Sequence, residues 1–175
     1  EDVSLQVKYL VSGATGFVGR ELCQQLAVRH LDFVALSQRG AKLPDGTATI
    51  AIDLEKQSVS AAHFIGVDVV FHLAGIAHQQ AKASSYTQVN HLATVALAKT
   101  AAAAGVKCFI YLSSVRAMGP APGDEVRSED ECAPPTSAYG MSKLQAEDAL
   151  RDAFSNSEMS VVILRPALVL SLIHI

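Results

Sequence analysis

A glycine turn near the start of the chain constrains the fold more than any other feature. Glycines stand at positions 13, 16 and 19, directly after the apolar run at residues 9–11. In a strand–turn–helix unit of this kind, Gly13 permits a tight turn, Gly16 lets the backbone approach a pyrophosphate, and Gly19 lets the helix pack on the sheet. The spacing is GxxGxxG rather than the standard GxGxxG, and a turn that binds nothing is the plain alternative. The turn predicts a parallel α/β fold and favours a dinucleotide ligand.

Apolar runs alternate with helical patterns along the rest of the chain. Six runs predict strands at residues 9–11, 33–36, 49–52, 68–73, 108–112 and 161–164. Helical patterns follow the glycine turn and recur at about residues 58–64, 85–104 and 137–154. Continuous apolar strands that alternate with helices predict a parallel sheet covered on both faces. With right-handed crossovers, the result is a doubly wound six-stranded sheet, the Rossmann arrangement.

Two of these helices have a predicted buried face. On the first helix the face consists of Phe17, Val18, Leu22 and Leu26. On the long helix it consists of Val89, Leu92, Ala96 and Thr100, and Gly105 ends that helix. The last helix is expected to be capped by Thr136 or Ser137 and to run to about Phe154.

Polar and small residues follow the predicted strands at the edge where a ligand is expected. Gly13, Ser37, Asp53, Ala74 and Ser114 all lie at or just past a strand end. Ligands of doubly wound sheets bind outside the carboxyl ends of the strands. These residues are therefore expected to converge on one site.

The end of the second strand bears on the choice between NAD and NADP. The acid expected about 20 residues after the glycine turn is missing, and the sequence there reads Ser37-Gln38-Arg39. Arg39 could pair with a 2′-phosphate and favour NADP, or it could be a solvated loop residue. Asp53 could accept a hydrogen bond from the adenine amino group, or it could cap the following helix. The cofactor prediction is therefore NAD or NADP.

A phenol and an ammonium stand one helical turn apart near the start of the last helix. Tyr139 and Lys143 are i and i+4, so they share a face. A nearby ammonium lowers the pKa of tyrosine from its usual value of about 10 and makes it usable as a base. Ser114, at the end of the fifth strand, could donate to the substrate oxygen. The YxxxK pattern alone also fits a surface tyrosine beside a solvated lysine, but after a glycine turn and a strand-end serine it predicts hydride-transfer catalysis.

With these motifs, the chain resembles the extended short-chain dehydrogenase/reductase family, in its nucleotide-sugar epimerase/dehydratase branch, over about residues 8–169. The matching stretches are residues 12–19, Asp53-Leu54, His72-Leu73-Ala74-Gly75, Val89-Asn90 with Thr94, Leu112-Ser113-Ser114, residues 139–143 and Leu164-Arg165-Pro166. The resemblance implies that the dinucleotide site is lined by Phe17, Val18, Asp53, Leu54, Leu73, Ala74 and Gly75. It implies that Asn90 stands near the nicotinamide, and that Ser114, Tyr139 and Lys143 form the catalytic triad.

Two departures from the family narrow the expectation. The 4,6-dehydratases of this branch carry an Asp-Glu pair where this chain has Val115-Arg116, so dehydration is not expected. The resemblance then implies a 4-epimerase or 4-keto reductase of nucleoside-diphosphate hexoses, similar to bacterial surface-polysaccharide enzymes. Past Val169 the chain leaves the family pattern, so residues 170–175 are expected to be a foreign or truncated tail and the C-terminal substrate lobe to be missing. Two alternatives stay open: a non-catalytic NAD(P)-binding regulatory module, and a hydroxysteroid- or flavonoid-type reductase of the same superfamily.

Length, charge and residue counts limit the other functions and partners that the chain could have. Residues 1–175 suffice for one dinucleotide-binding domain, and the net charge of −3 gives no reason to expect a nucleic-acid partner. Three scattered cysteines predict reduced thiols in a cytoplasmic protein, and no apolar stretch reaches membrane-spanning length. The six histidines lack metal-ligand spacing, so no metal is expected, and His72 is expected to be a packed, hydrogen-bonded residue. A homodimer of the longer parent protein fits the resemblance.

Overall fold

Six parallel strands form one sheet in the order β3-β2-β1-β4-β5-β6. The computed structural model describes residues 6–77, 81–121, 123 and 126–167. The strands are β1 Lys8–Ser12, β2 Asp32–Ser37, β3 Ile50–Ala51, β4 Val69–His72, β5 Cys108–Leu112 and β6 Ser160–Leu164. The chain winds outward from β1 in one direction through β3 and then in the other through β6. This confirms the doubly wound Rossmann sheet, with its switch point between β1 and β4. The expected tail at residues 170–175 lies outside the described residues.

The helices lie between the strands as the alternating pattern predicts. They are α1 Phe17–Val28, α2 Ala83–Tyr86, α3 Ala93–Ala103 and α4 Ala138–Phe154. A π-helical turn, Thr87–Leu92, joins α2 to α3, and short 3-10 turns span Ala61–Phe64 and Val115–Met118. Ser137 caps α4 by accepting a hydrogen bond from the Gly140 N–H at 3.0 Å. The sequence pattern did not predict the turn after β5.

Successive side chains of β1, the central strand, pack into two separate hydrophobic cores, one on each face of the sheet. Leu10 packs with Val70, Phe109 and the helical residue Leu97 on one face of the sheet. Its neighbour Val11 packs on the other face with residues of α1, including Cys23. Because successive strand residues point to opposite faces, a strand buried on both sides must be apolar throughout. The continuous apolar runs in the sequence are thereby explained.

The predicted buried face of α1 is wrong at its first two positions. Phe17 and Val18 are 59% and 36% exposed, whereas Gly19, Cys23 and Leu26 are buried. A Cβ on Gly19 would lie 2.1 Å from the carbonyl oxygen of Gly13, so the helix meets the sheet along the stripe that contains Gly19. Phe17 and Val18 start the helix on other faces and remain exposed.

The long helix is continuous, and its predicted buried face is right at Val89 but wrong at Leu92 and Ala96. Leu92 and Ala96 are exposed, and the buried positions are Tyr86, Val89, Asn90, Thr94, Leu97, Ala98 and Ala101. A regular helix repeats every 3.6 residues, and the π-helical turn adds a residue to one turn. The buried stripe therefore falls one residue later than a regular pattern predicts. The helix ends immediately before Gly105, as predicted.

His72 links three elements inside the sheet. Its Nδ1 is 2.6 Å from Ser12 Oγ on β1, and its Nε2 is 2.8 Å from Thr94 Oγ1 on α3. The ring is fully buried, which confirms the prediction of a packed, hydrogen-bonded histidine. Burial, with a smaller contribution from the Lys143 ammonium, lowers the pKa of His72 to about 3. The imidazole is therefore neutral in the folded protein.

The stability of the fold is expected to fall as the solution is acidified below pH 6.5, because of this imidazole. Unfolded chains protonate histidine at about pH 6.5, whereas the folded chain does not until about pH 3. The unfolded state therefore binds the extra proton between these values, at up to about 1.4 kcal/mol per pH unit. Urea unfolding at pH 7, 6 and 5 measures the slope. His72→Gln should flatten it, the exposed-site control His63→Gln should not, and equal slopes in all three proteins would contradict the assignment.

Candidate functional site

A cavity of about 250 Å³ opens at the carboxyl ends of β1, β2 and β4. Its lining includes Gly13, Ser37, Asp53 and Ala74, four of the five strand-end residues expected to converge. Leu54, Leu73 and Gly75 also line it, as does Gly16. Ser114, the fifth strand-end residue, lies outside this lining, after β5. The predicted convergence on this cavity therefore applies to four strand ends, and the fifth lies at the turn after β5.

The glycine turn forms the floor of the cavity. Gly13 has a φ of +73°, and a Cβ there would lie 2.6 Å from the backbone nitrogen of Ala74. Such a backbone conformation and such a close approach both require glycine. At Gly16 a Cβ would meet only the Gly13 carbonyl oxygen, at 3.3 Å, so the side of the turn that faces the cavity is open.

The start of α1 is suited to an anion. Its first intrahelical hydrogen bond runs from Arg20 N–H to the Gly16 carbonyl at 2.9 Å, so the N–H groups of Phe17, Val18 and Gly19 precede the helical ladder. No side chain caps this helix start, and its first turn carries no acidic residue. Phe17 and Val18 therefore offer backbone N–H groups rather than buried side chains.

The far wall of the cavity carries Ser37 and Gln38, two of the three residues at the end of β2 that bear on the adenosine. Gln38 lines the wall, while Arg39 is exposed and is not part of the lining. Ser37 Oγ is 2.6 Å from Thr49 Oγ1 and accepts from the Gly40 N–H at 3.1 Å.

Asp53 lies at the cavity wall and also caps the turn that follows it. It lines the cavity, and its Oδ1 accepts from the Glu55 N–H at 3.1 Å, as a turn cap does. Its Oδ2 lies 3.3 Å from Lys56 Nζ. Burial acts to raise the pKa of Asp53, but these hydrogen bonds and the Lys56 charge hold it below its usual value. The carboxylate is therefore ionised at the cavity wall.

Lys143 is enclosed rather than solvated, so the alternative of a surface Tyr–Lys pair is wrong. Only 4% of the residue is exposed, and its Nζ donates to the Leu112 carbonyl at 3.0 Å. The Nζ lies 4.9 Å from the ring centre of Tyr111 and 6.0 Å from that of Tyr139. Burial lowers the pKa of Lys143 to about 8, against the charge of Glu147, which raises it.

Tyr139 is half-buried in the first turn of α4. Its ring packs edge-on against Tyr86, with 6.1 Å between the ring centres. The turn that begins at Ser114 packs against the same end of the helix, because a Cβ on Gly140 would lie 2.6 Å from the Arg116 carbonyl oxygen. Ser114 is half-buried and accepts from the Arg116 N–H at 3.2 Å. The two predicted catalytic elements are thus in contact through their backbones.

The dinucleotide cavity and the Tyr–Lys helix are joined through Gly75 and Asn90. Gly75 lines the cavity, and a Cβ there would lie 3.0 Å from Asn90 Oδ1 and 3.2 Å from Lys143 Nζ. The buried Asn90 side chain accepts from Ile76 N–H at 2.8 Å and donates to Ile76 O at 2.9 Å and to Ser142 Oγ at 3.2 Å. Lys143 therefore stands at the end of the cavity wall.

Three neighbours of this site were missed at the sequence level. Tyr86 packs on Tyr139, Tyr111 lies under the Lys143 ammonium, and Glu147 is a fully buried carboxylate on the same helix. Glu147 could have been found by its i+4 spacing from Lys143. The tyrosines carry no local signal, because they reach the site from other elements.

Within the described parts of the chain, no group of three or more histidine, cysteine, aspartate or glutamate side chains could hold a metal ion. The cysteines are free thiols, with Cys23 buried and Cys132 exposed. No helix among the described residues has the length and apolar character needed to cross a membrane.

Comparison with known proteins places these features in one family. A model of the NAD dependent epimerase/dehydratase family matches residues 9–172. A UDP-glucose 4-epimerase of Vibrio cholerae is 33% identical over 96% of this chain and 53% of its own length. A 2-alkyl-3-oxoalkanoate reductase of Stenotrophomonas maltophilia is 31% identical over 93% of this chain and 51% of its own.

A solved structure shares the fold as well. MoeE5 in complex with UDP-glucose and NAD is 33% identical, with a TM-score of 0.79 over 90% of this chain and 53% of its own. The chain thus spans about half the length of the relatives that it matches.

Proposed function

This chain belongs to the NAD-dependent epimerase/dehydratase family, and on that premise we propose that it supplies the cofactor-binding and proton-transfer part of a nucleoside-diphosphate-sugar 4-epimerase or 4-keto reductase. One contact carries the proposal: Gly75 lies in the wall of the glycine-turn cavity and against Lys143 Nζ. A dinucleotide held by the glycine turn would therefore end beside the Tyr–Lys helix. A UDP-sugar substrate is consistent with two relatives, the UDP-glucose 4-epimerase and MoeE5, whose structure holds UDP-glucose and NAD.

The residues present fit a nicotinamide dinucleotide. Neighbouring backbone atoms occupy the space that a Cβ would take at Gly13 and at Gly19, so only glycine fits at these two positions of the turn. The uncapped start of α1 provides the N–H groups of Phe17 and Val18 for a pyrophosphate. Gly16 is open toward the cavity, and Asp53, Leu54, Leu73 and Ala74 line the path to Gly75. Arg39 and Asn90 remain proposals for the adenosine and nicotinamide ends.

Side chains of this protein would carry out the proton transfer. When bound, the nicotinamide would accept the hydride that leaves the sugar C4 carbon. Tyr139 would take the proton of the C4 hydroxyl as a phenolate, and the Lys143 ammonium would stabilise that phenolate. Ser114 would donate to the same oxygen and hold it in place. The tight enclosure of Lys143 strengthens its charge effect, because little water screens it.

A second candidate is a carbonyl reductase that acts on a substrate other than a sugar. The 31% identity to the 2-alkyl-3-oxoalkanoate reductase favours it, since that relative matches over nearly the whole chain. A non-catalytic regulatory module is less consistent with a retained and buried Lys143 beside Tyr139. We further propose a cytoplasmic location and a homodimer of the longer parent, with no nucleic-acid partner.

Calorimetric titration of this chain with NAD, NADH, NADP and NADPH tests the cofactor proposal. We expect saturable binding of at least one dinucleotide. Proton NMR of the full-length gene product with UDP-glucose or UDP-galactose then tests the reaction. Interconversion without net cofactor consumption identifies an epimerase, whereas stoichiometric oxidation of NADPH by a 4-keto sugar identifies a reductase. The proposed function would be overturned if none of the four dinucleotides bound.

A further inference from the structure

Glu147 is a buried carboxylate that takes no part in the proposed hydride and proton transfer. It is fully buried, and Ser113 Oγ donates to its Oε1 at 2.5 Å. Arg165 Nη2 and Arg151 Nη2 lie 2.6 and 3.0 Å from its Oε2. Glu147 follows Lys143 by one helical turn, so the inward face of α4 carries a phenol, an ammonium and a carboxylate in succession. That order suggests an electrostatic function for the third group.

The surroundings of Lys143 explain why an anion is needed there. An ammonium withdrawn from water is costly unless an opposite charge or strong acceptors replace the hydration shell. The titratable groups that face it or act on its charge are His72 on β4, Tyr111 on β5, and Tyr139 and Glu147 on α4. The histidine is neutral, and burial raises the pKa of Tyr111, so neither supplies a negative charge. Among the described residues packed around Lys143, the buried anion is therefore Glu147.

The two arginines keep Glu147 ionised without cancelling its effect on Lys143. Burial acts to raise the pKa of Glu147, but the bonds from Arg165, Ser113 and Arg151 hold it below its usual value. The side chains of Arg165 and Arg151 are 15% and 48% exposed, whereas that of Glu147 is not exposed at all. Solvent screens the guanidinium charges more strongly than the enclosed carboxylate charge. At Lys143 the negative charge therefore outweighs the positive ones.

Glu147 also fixes the strand end next to Ser114. Ser113, which donates to the carboxylate, is the residue immediately before Ser114, and its N–H donates to the Leu164 carbonyl at 2.8 Å. Arg165, the residue after Leu164 at the end of β6, pairs with the same carboxylate. One carboxylate thus binds the ends of β5 and β6 to the helix that carries Tyr139 and Lys143.

We propose that Glu147 is a positioning residue whose enclosed charge holds Lys143 as an ammonium, and whose bond to Ser113 fixes the strand end that presents Ser114. The inference rests on the proposed function only for what Lys143 does with its charge. The charge itself is a property of the folded chain.

NMR titration of the Lys143 Cε signal in protein labelled with 13C-lysine tests the charge directly. The signal is assigned with Lys143→Arg, and the midpoint is compared between the unchanged protein and Glu147→Gln. We expect Glu147→Gln to lower the midpoint by about one pH unit or more, because an enclosed charge one turn away is removed. Asp148→Asn is the matched control: it removes a carboxylate from the next residue, on the exposed side of α4, and should leave the midpoint unchanged. An unchanged midpoint in Glu147→Gln would overturn the proposal.

A second variant guards against loss of folding in Glu147→Gln, where two arginines lose their partner. Glu147→Gln combined with Arg165→Gln removes both members of the closest ion pair, and the lower midpoint of Lys143 is expected to persist. This titration needs neither dinucleotide nor substrate, so it separates the two proposals. A lowered midpoint without dinucleotide binding would remove the proposed function and leave the role of Glu147 intact.

In an active full-length protein, the pH profile adds a readout that a merely structural role would not move. Glu147→Gln should shift the limb of kcat/KM that reports the Tyr–Lys pair to lower pH. Ser113→Ala, which removes the hydrogen bond but keeps the charge, should lower kcat/KM without moving that limb. The same shift in both variants, or in neither, would contradict the proposal.

Discussion

Gly19→Ala is expected to destabilise the chain by at least about 3 kcal/mol and to abolish dinucleotide binding. The added Cβ would lie 2.1 Å from the Gly13 carbonyl oxygen and 2.9 Å from Ala14 Cα. Both neighbours are backbone atoms of the turn between β1 and α1, so no flexible side chain can move aside. The helix must tilt away from the sheet, and the N–H groups at its start then leave the cavity. Thermal unfolding and calorimetric titration measure the two effects.

Gly16→Ala provides the matched control in the same turn. Its Cβ would meet only the Gly13 carbonyl oxygen, at 3.3 Å, and the backbone there needs no positive φ. We expect this variant to fold with nearly unchanged stability but to bind the dinucleotide more weakly, because the methyl group faces the cavity. Equal stability losses in the two variants would show that the close approach of α1 to the sheet is not the critical feature.

Tyr139→Phe is expected to lower the turnover of the full-length protein by about 10³-fold or more, because it removes the proton-accepting oxygen. The ring and its edge-on contact with Tyr86 remain, so the fold and the cavity should not change. Dinucleotide affinity should stay within about tenfold, since at most one hydrogen bond, worth about 0.5–1.5 kcal/mol, is lost. Steady-state kinetics and calorimetry on the same preparation separate the two quantities.

Tyr9→Phe is the control for the loss of a phenol oxygen. Tyr9 lies on β1 and stacks on Phe71, with 6.0 Å between the ring centres, away from α4. This variant should keep its turnover. If Tyr139→Phe also kept its turnover, Tyr139 would lose its assigned role while the cavity and its ligand would not be affected.

Sequence patterns predicted those parts of the molecule whose cause is local. The strand at Cys108–Leu112 was predicted at its observed position, and Ser137 is one of the two residues predicted to cap α4. Each depends on a few consecutive residues: an unbroken apolar run, or a hydroxyl three residues before a free N–H. The glycine turn belongs to the same class, because Gly13 requires glycine through its own φ and its contact with Ala74.

Features decided by distant residues could not be predicted in this way. The pair Glu147–Arg165 is separated by 18 residues and forms because β6 returns beside α4. The face of the long helix was misassigned because a regular period was assumed where the turn Thr87–Leu92 is wider. Phe17 and Val18 were placed in the core because the pattern could not show that the helix meets the sheet along its glycine.

The hydrogen bonds of Asn90 have a consequence for ligand association. Its amide is tied at once to the segment after β4 and, through Ser142, to α4. The spacing between the floor of the cavity and the phenol is thus set by rigid secondary structure before a ligand arrives. Such preorganisation reduces the ordering entropy lost on association. Any movement that closes the site on a ligand is also confined to segments that the Asn90 hydrogen bonds do not hold.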